Sequence, residues 1–138
     1  MGHNAQIEFD TEHLRRVLFN LLDNAVRYKG PHDDSLAITT RVSPSGAISL
    51  QVWSDGAPMD KSVERHLFEP FFSSESRSSG LGLYICRELC QRHGASIGYQ
   101  RLVRATPRGE IGGNAFTVGF RRNTRPAENA TPFDTIVV

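Results

Sequence analysis

Two layers are what this sequence predicts, a mixed β-sheet covered on one face by three helices, in the α+β class. Three observations carry that expectation. Segments with helical and with alternating apolar spacing succeed one another as strand, helix, two strands, helix, loop, helix, two strands. A length of 138 residues suits one domain that buries about two thirds of its unfolded surface. The balance of 38% hydrophobic and 22% charged residues is that of an ordinary globular protein.

A short strand over residues 7–9 leads into Asp10-Thr11, either of which can cap a helix whose apolar stripe reads Leu14, Val17, Leu18, Leu21, Ala25. That helix should end near Tyr28, before Gly30-Pro31. Leu36, Ile38, Thr40 and Val42 alternate onto one face of a strand. Ile48, Leu50 and Val52 do the same on the next, with Ser43-Pro44-Ser45-Gly46 as the turn between them. Residues 60–67 suit a short helix, and 69–79 form a polar, serine-rich loop with no period. A third helix runs over 82–93 and stops at Gly94, which can adopt the left-handed conformation. Strands over 97–103 and 115–121 complete the domain. Residues 1–3 read as the remnant of an expression tag, 4–122 as the domain, and 123–138 as a flexible tail.

The bulk numbers exclude several function classes. A net charge of +1 offers no electrostatic footprint for nucleic acid. No apolar run approaches the ~20 residues of a membrane span, and Met1-Gly2-His3 lacks the start of a signal peptide, so a cytoplasmic domain without direct membrane contact is expected. Cys86 and Cys90, four apart on a helix, read as two small buried thiols without a metal or redox role.

On the first helix Asn20, Asn24 and Arg27 form a polar stripe beside the apolar one, with Tyr28 at its lower end. A solvated helix face is the plain reading. Amide oxygens are, however, good ligands for a hard cation such as Mg²⁺, and a guanidinium suits phosphate oxygens. Gly80-Leu81-Gly82-Leu83 opens the third helix, where free N–H groups and the positive dipole end attract phosphate. It follows a loop and lacks a lysine, which excludes dinucleotide-binding and P-loop arrangements. The polar stripe, a strand ending at Ser54-Asp55-Gly56 and the glycine-opened helix together describe one nucleotide site.

Over residues 9–122 the chain resembles the histidine kinase branch of the GHKL ATPases, which have the Bergerat fold. The stretch from Leu18 to Tyr28, LFNLLDNAVRY, looks like the family's N box; Phe68-Glu69-Pro70-Phe71-Phe72 resembles its F box, and Gly80-Leu81-Gly82-Leu83 its second glycine box. The stretch GLGLYICRELC most resembles sensors that regulate type IV pilus genes. Such a resemblance implies that ATP and Mg²⁺ are the cofactors, that Asn24 holds the metal, and that Asn20 and Arg27 face the phosphates, these three being the candidate catalytic residues. It further implies that Tyr28 stacks near the adenine, that Phe71 and Phe72 anchor the lid, and that Ser54, Asp55, Gly56, Ser79, Gly80, Leu81, Gly82 and Leu83 border the nucleotide. The implied partners are a histidine-bearing dimerisation domain and a response regulator, within an inner-membrane sensor.

Departures from the family pattern are equally specific. Ser54 stands where the first glycine box has the adenine-reading aspartate, and Pro58 where it has its second glycine. Strand parity points Ser54 toward the core and Asp55 away. In the lid, Glu75, Ser76, Arg77, Ser78 and Ser79 replace the usual small residues and lysine, which predicts weakened nucleotide binding. None of His3, His13, His32, His66 and His93 has the acidic and proline context of a phosphoacceptor, so the nucleophile should lie outside this chain. The related hydrolases and serine kinases carry a glutamate general base where this chain has Asn20, which predicts slow hydrolysis. A signalling module that does not use ATP is the remaining alternative.

Overall fold

The structure is a computed structural model and describes residues 4–7, 9–71, 81–120 and 135–137. Helix α1 (Thr11–Tyr28) begins where the Asp10 carboxylate accepts a hydrogen bond from the His13 N–H at 3.1 Å, satisfying one of the helix's orphan donors. Its Val17, Leu21 and Ala25 are buried, flanked by Leu14, Leu18 and Leu22. A five-residue helix, α2 (Lys61–Arg65), follows much later in the chain. Helix α3 (Gly82–Arg92) turns Cys86 and Cys90 inward, both fully buried. These small side chains let α3 lie close along α1, where the Cys86 thiol meets the Val17 carbonyl at 3.7 Å. Gly94, at φ 72°, then ends the helix with the left-handed residue that an L side chain resists.

The sheet is ordered β2 (Leu36–Val42), β3 (Ile48–Ser54), β5 (Gly109–Phe120), β4 (Ser96–Thr106), each neighbouring pair antiparallel. This corrects the expectation of a mixed sheet. Strands β3 and β4 do run parallel, as a helical crossover between them allows, but β5 returns from β4 through a tight turn and inserts between the two. Both of these last strands are longer than their apolar patterns suggest, because pairing continues to the turn at Gly109, φ 107°.

Ile48, Leu50 and Val52 of β3 pair with Phe120, Val118 and Phe116 of β5 and face the helices, making the core. The opposite face carries Trp53. Its indole N–H donates to the Leu102 carbonyl at 2.9 Å, with the ring lying across Gly113. A side chain on Gly113 would overlap both that ring and the Ser54 carbonyl.

The first strand is also displaced from its expected place. It is β1 (Asn4–Gln6), paired antiparallel with β6 (Thr135–Val137), so residues 135–137, expected within a flexible tail, form a strand. Ile7 and Phe9 are apolar for a different reason. Both are buried, and the Phe9 ring packs on His93 and Phe120.

Candidate nucleotide site

Helix α1 touches both glycine segments. At Asn20 the side-chain amide donates to the Gly82 carbonyl at 3.1 Å, tying the first helix to the opening of α3. Eight residues on, about 12 Å along the helix, the Tyr28 carbonyl lies so close to Gly56 that a Cβ there would sit 2.9 Å from it. Between these anchors Asn24 is half-buried, and its amide makes no hydrogen bond among the described residues. Arg27 is exposed and pairs with Asp23 at 3.0 Å, an i,i+4 contact on the helix surface. Tyr28 is 37% exposed. Leu81 and Leu83 are half-buried at the start of α3, and a side chain on Gly82 would meet nothing within 4 Å among the described residues beyond its chain neighbours and the helix's own backbone.

The end of β3 separates two neighbouring polar residues. Ser54 is buried on the core side, 4% exposed, and its hydroxyl has no hydrogen-bond partner among the described residues. Asp55 turns the other way. Its carboxylate accepts hydrogen bonds from the Gly30 N–H at 2.7 Å, the Ser35 hydroxyl at 2.8 Å and Arg108 at 3.0 Å. Burial acts to raise its pKa, but those three donors outweigh it and hold the carboxyl below its ordinary value. Arg108 also bonds Asp34 through Nε at 2.7 Å. Asp55 is thus a tie between the loop after α1 and the β4–β5 turn.

Three residues absent from the sequence reading complete this end. Asn114, buried and paired with Ser54 across β3 and β5, accepts from the Tyr99 hydroxyl and from Arg101, and donates to the Ala57 carbonyl at 3.0 Å. Arg101 donates to the Gly56 carbonyl at 2.6 Å. Burial, and then the Glu64 carboxylate, push the Tyr99 hydroxyl's pKa up, with Arg101 opposing. Only strand register brings these groups together, and no local motif marks them.

In the F box it is Phe68 that packs, its ring edge-on to Phe116 at 6.1 Å, while Phe71 stands 78% exposed at φ 63°. Phe72, Ser79 and Gly80 lie outside the described residues. Cys86 and Cys90 are held inert by burial, which pushes their thiols up to about 12 and about 11. His66 meets Glu69 at 2.6 Å, and His13 meets His93 at 2.8 Å. Among the described residues, no group of three or more His, Cys, Asp or Glu side chains is placed to hold a metal. No described helix is long and apolar enough to cross a membrane.

Comparison with known proteins gives a consistent outcome. The model of the family described as histidine kinase-, DNA gyrase B- and HSP90-like ATPase matches residues 9–124. The chain is 37% identical over 123 residues to the sensor protein kinase PilS of Pseudomonas aeruginosa, covering 85% of this chain and 21% of that protein. It is 33% identical over 122 residues to the C4-dicarboxylate transport sensor protein DctS of Rhodobacter capsulatus, covering 85% of this chain and 17% of that protein. The chain therefore spans about a fifth of the length of such relatives. Among solved structures, the catalytic domain of histidine kinase ThkA superposes with a TM-score of 0.67 at 26% identity, covering 84% of this chain and 70% of that one. The mycobacterial sensor histidine kinase MprB, at 23% identity and a TM-score of 0.67, shares the fold, covering 86% of this chain and 79% of that one.

Proposed function

We propose, from the premise that this chain belongs to the histidine kinase-, DNA gyrase B- and HSP90-like ATPase family, that it binds Mg·ATP and passes the γ-phosphoryl group to a histidine on a separate dimerisation domain. The observation that carries this reading is α1 acting as a spine: Asn20 ties it to Gly82 at one end, Tyr28 packs on Gly56 at the other, and Asn24 lies free between. One protein oxygen is an adequate hold on Mg²⁺, a cation that keeps several waters and takes its other ligands from phosphates. Asn24 is the residue whose chemistry fits, since its amide is not engaged elsewhere among the described residues. Bound there, the ion would neutralise charge on the phosphate oxygens during transfer.

The chain's own groups define what else happens. The α3 opening, with Leu81 and Gly82, presents helix-end N–H groups toward phosphate. Arg27 can swing from its exposed pair with Asp23 toward the same oxygens, because such pairs are weak. Asn20 cannot accept a proton, so the acceptor must be nucleophilic without a base at this position, as an imidazole is. The partners that follow are the histidine-bearing domain and then a response regulator, on the cytoplasmic side of an inner-membrane sensor. Calorimetric titration of Mg·ATP into the purified chain tests the reading. A dissociation constant of about 10 μM to 1 mM is expected, and no binding at millimolar nucleotide would leave the fold as a docking module only.

A further inference from the structure

The base end of this site has a composition of its own. Ser54, Asn114 and Arg101 are successive cross-strand partners on the core side of β3, β5 and β4, a polar row about 10 Å wide at the usual strand spacing. Its members differ in what they have left to give. Asn114 accepts twice through its oxygen and uses one of its two amide N–H groups on Ala57. Ser54, though nearly fully buried, keeps an unpartnered hydroxyl among the described residues. Arg101 uses one terminal nitrogen for Gly56 and Asn114, while its Nε and second terminal nitrogen donate no hydrogen bond among the described residues. A guanidinium has five N–H donors and no acceptor.

We propose that Arg101, with the Ser54 hydroxyl, is the specificity determinant of the base end, and that it shifts this site toward purines carrying a carbonyl at C6. The inference rests on the nucleotide-binding reading above and deepens it. A C6 amino group needs an acceptor, yet the carboxylate next in sequence, Asp55, is turned away and engaged by Gly30, Ser35 and Arg108. A C6 carbonyl needs a donor. The free guanidinium N–H groups are charged donors and the serine hydroxyl can rotate to donate as well. The guanidinium lies over Gly112, where a Cβ would sit 3.1 Å from it.

Competition binding with ATP and inosine triphosphate isolates the C6 group, because the two differ at that edge and share ribose and phosphates. The wild-type chain should bind the two within about threefold of each other, and Arg101→Met should move the ratio to favour ATP by about tenfold. The ratio within each variant cancels any general loss of affinity or stability. Arg101→Lys, which keeps the charge, should give an intermediate ratio. If wild type favours ATP strongly and Arg101→Met leaves that preference unchanged, the assignment of Arg101 is wrong while nucleotide binding stands. If neither triphosphate binds, the assignment falls together with the functional reading.

Discussion

Arg108 reaches the Asp55 carboxylate at 3.0 Å from the turn between β4 and β5, and the same carboxylate holds Gly30 and Ser35 of the loop that follows α1. Three segments remote in sequence thus share one buried anion. Asp55→Asn should destabilise the fold by about 1–3 kcal/mol at pH 7, since donors to a charged acceptor lose their partner. The folded carboxyl titrates below its ordinary value of 3.8. Its contribution is therefore complete above about pH 5 and is lost as the pH falls through that lower folded value. Urea unfolding at pH 7 and pH 3 should show the gap between wild type and Asp55→Asn closing at the acid end. A gap of equal size at both would mean the carboxylate's charge is not what the three donors need.

Asn24 is the free amide between two anchored ends of α1. Asn24→Ala should weaken Mg·ATP by about tenfold or more, near 1.4 kcal/mol, with the fold intact because the side chain bonds nothing among the described residues. Calorimetry beside a thermal melt separates the two effects. Equal affinity in both proteins would remove Asn24 from the metal.

Gly56 has no room for a side chain. A Cβ would meet the Tyr28 carbonyl at 2.9 Å and the Asn114 amide at 3.1 Å. Gly56→Ala should therefore cost about 1–3 kcal/mol by overpacking and push the Ala57 segment off Asn114. Chemical denaturation reads the first effect, and a lower affinity for nucleotide the second.

Ser54 faces the core while Asp55 is spent elsewhere. Ser54→Asp should tighten ATP by about five- to tenfold, because a charged acceptor bonds an amino group about 1 kcal/mol better than a hydroxyl does. Asp55→Ala should change stability more than adenine preference. The opposite pattern in competition binding would assign base reading to Asp55.

The isolated chain should not label itself from ATP, since transfer requires donor and acceptor in line and none of the five histidines has a phosphoacceptor's sequence context. Mixing it with the cognate dimerisation domain should produce acid-labile phosphate on that partner. Acid-labile label on the chain alone would identify one of its own histidines as an acceptor.

What the sequence determined by itself was whatever local chemistry encodes. Asp10-Thr11 marks the start of α1 because either side chain can cap free N–H groups, Gly94 ends α3 because the chain there turns left-handed, and alternation locates β2 and β3. The three motifs fixed the family for the same reason, each being a short run with a spacing of its own. Tertiary structure alone decided the rest. The place of β5 between β3 and β4, and the pairing of β1 with β6, depend on partners far along the chain that no local window contains. Arg101 and Asn114 join Ser54 only through strand register, and the fate of Asp55 depended on an arginine at a distant turn. Periodicity says which way a side chain points, but a hydrogen bond forms only where packing brings a second group within about 3 Å.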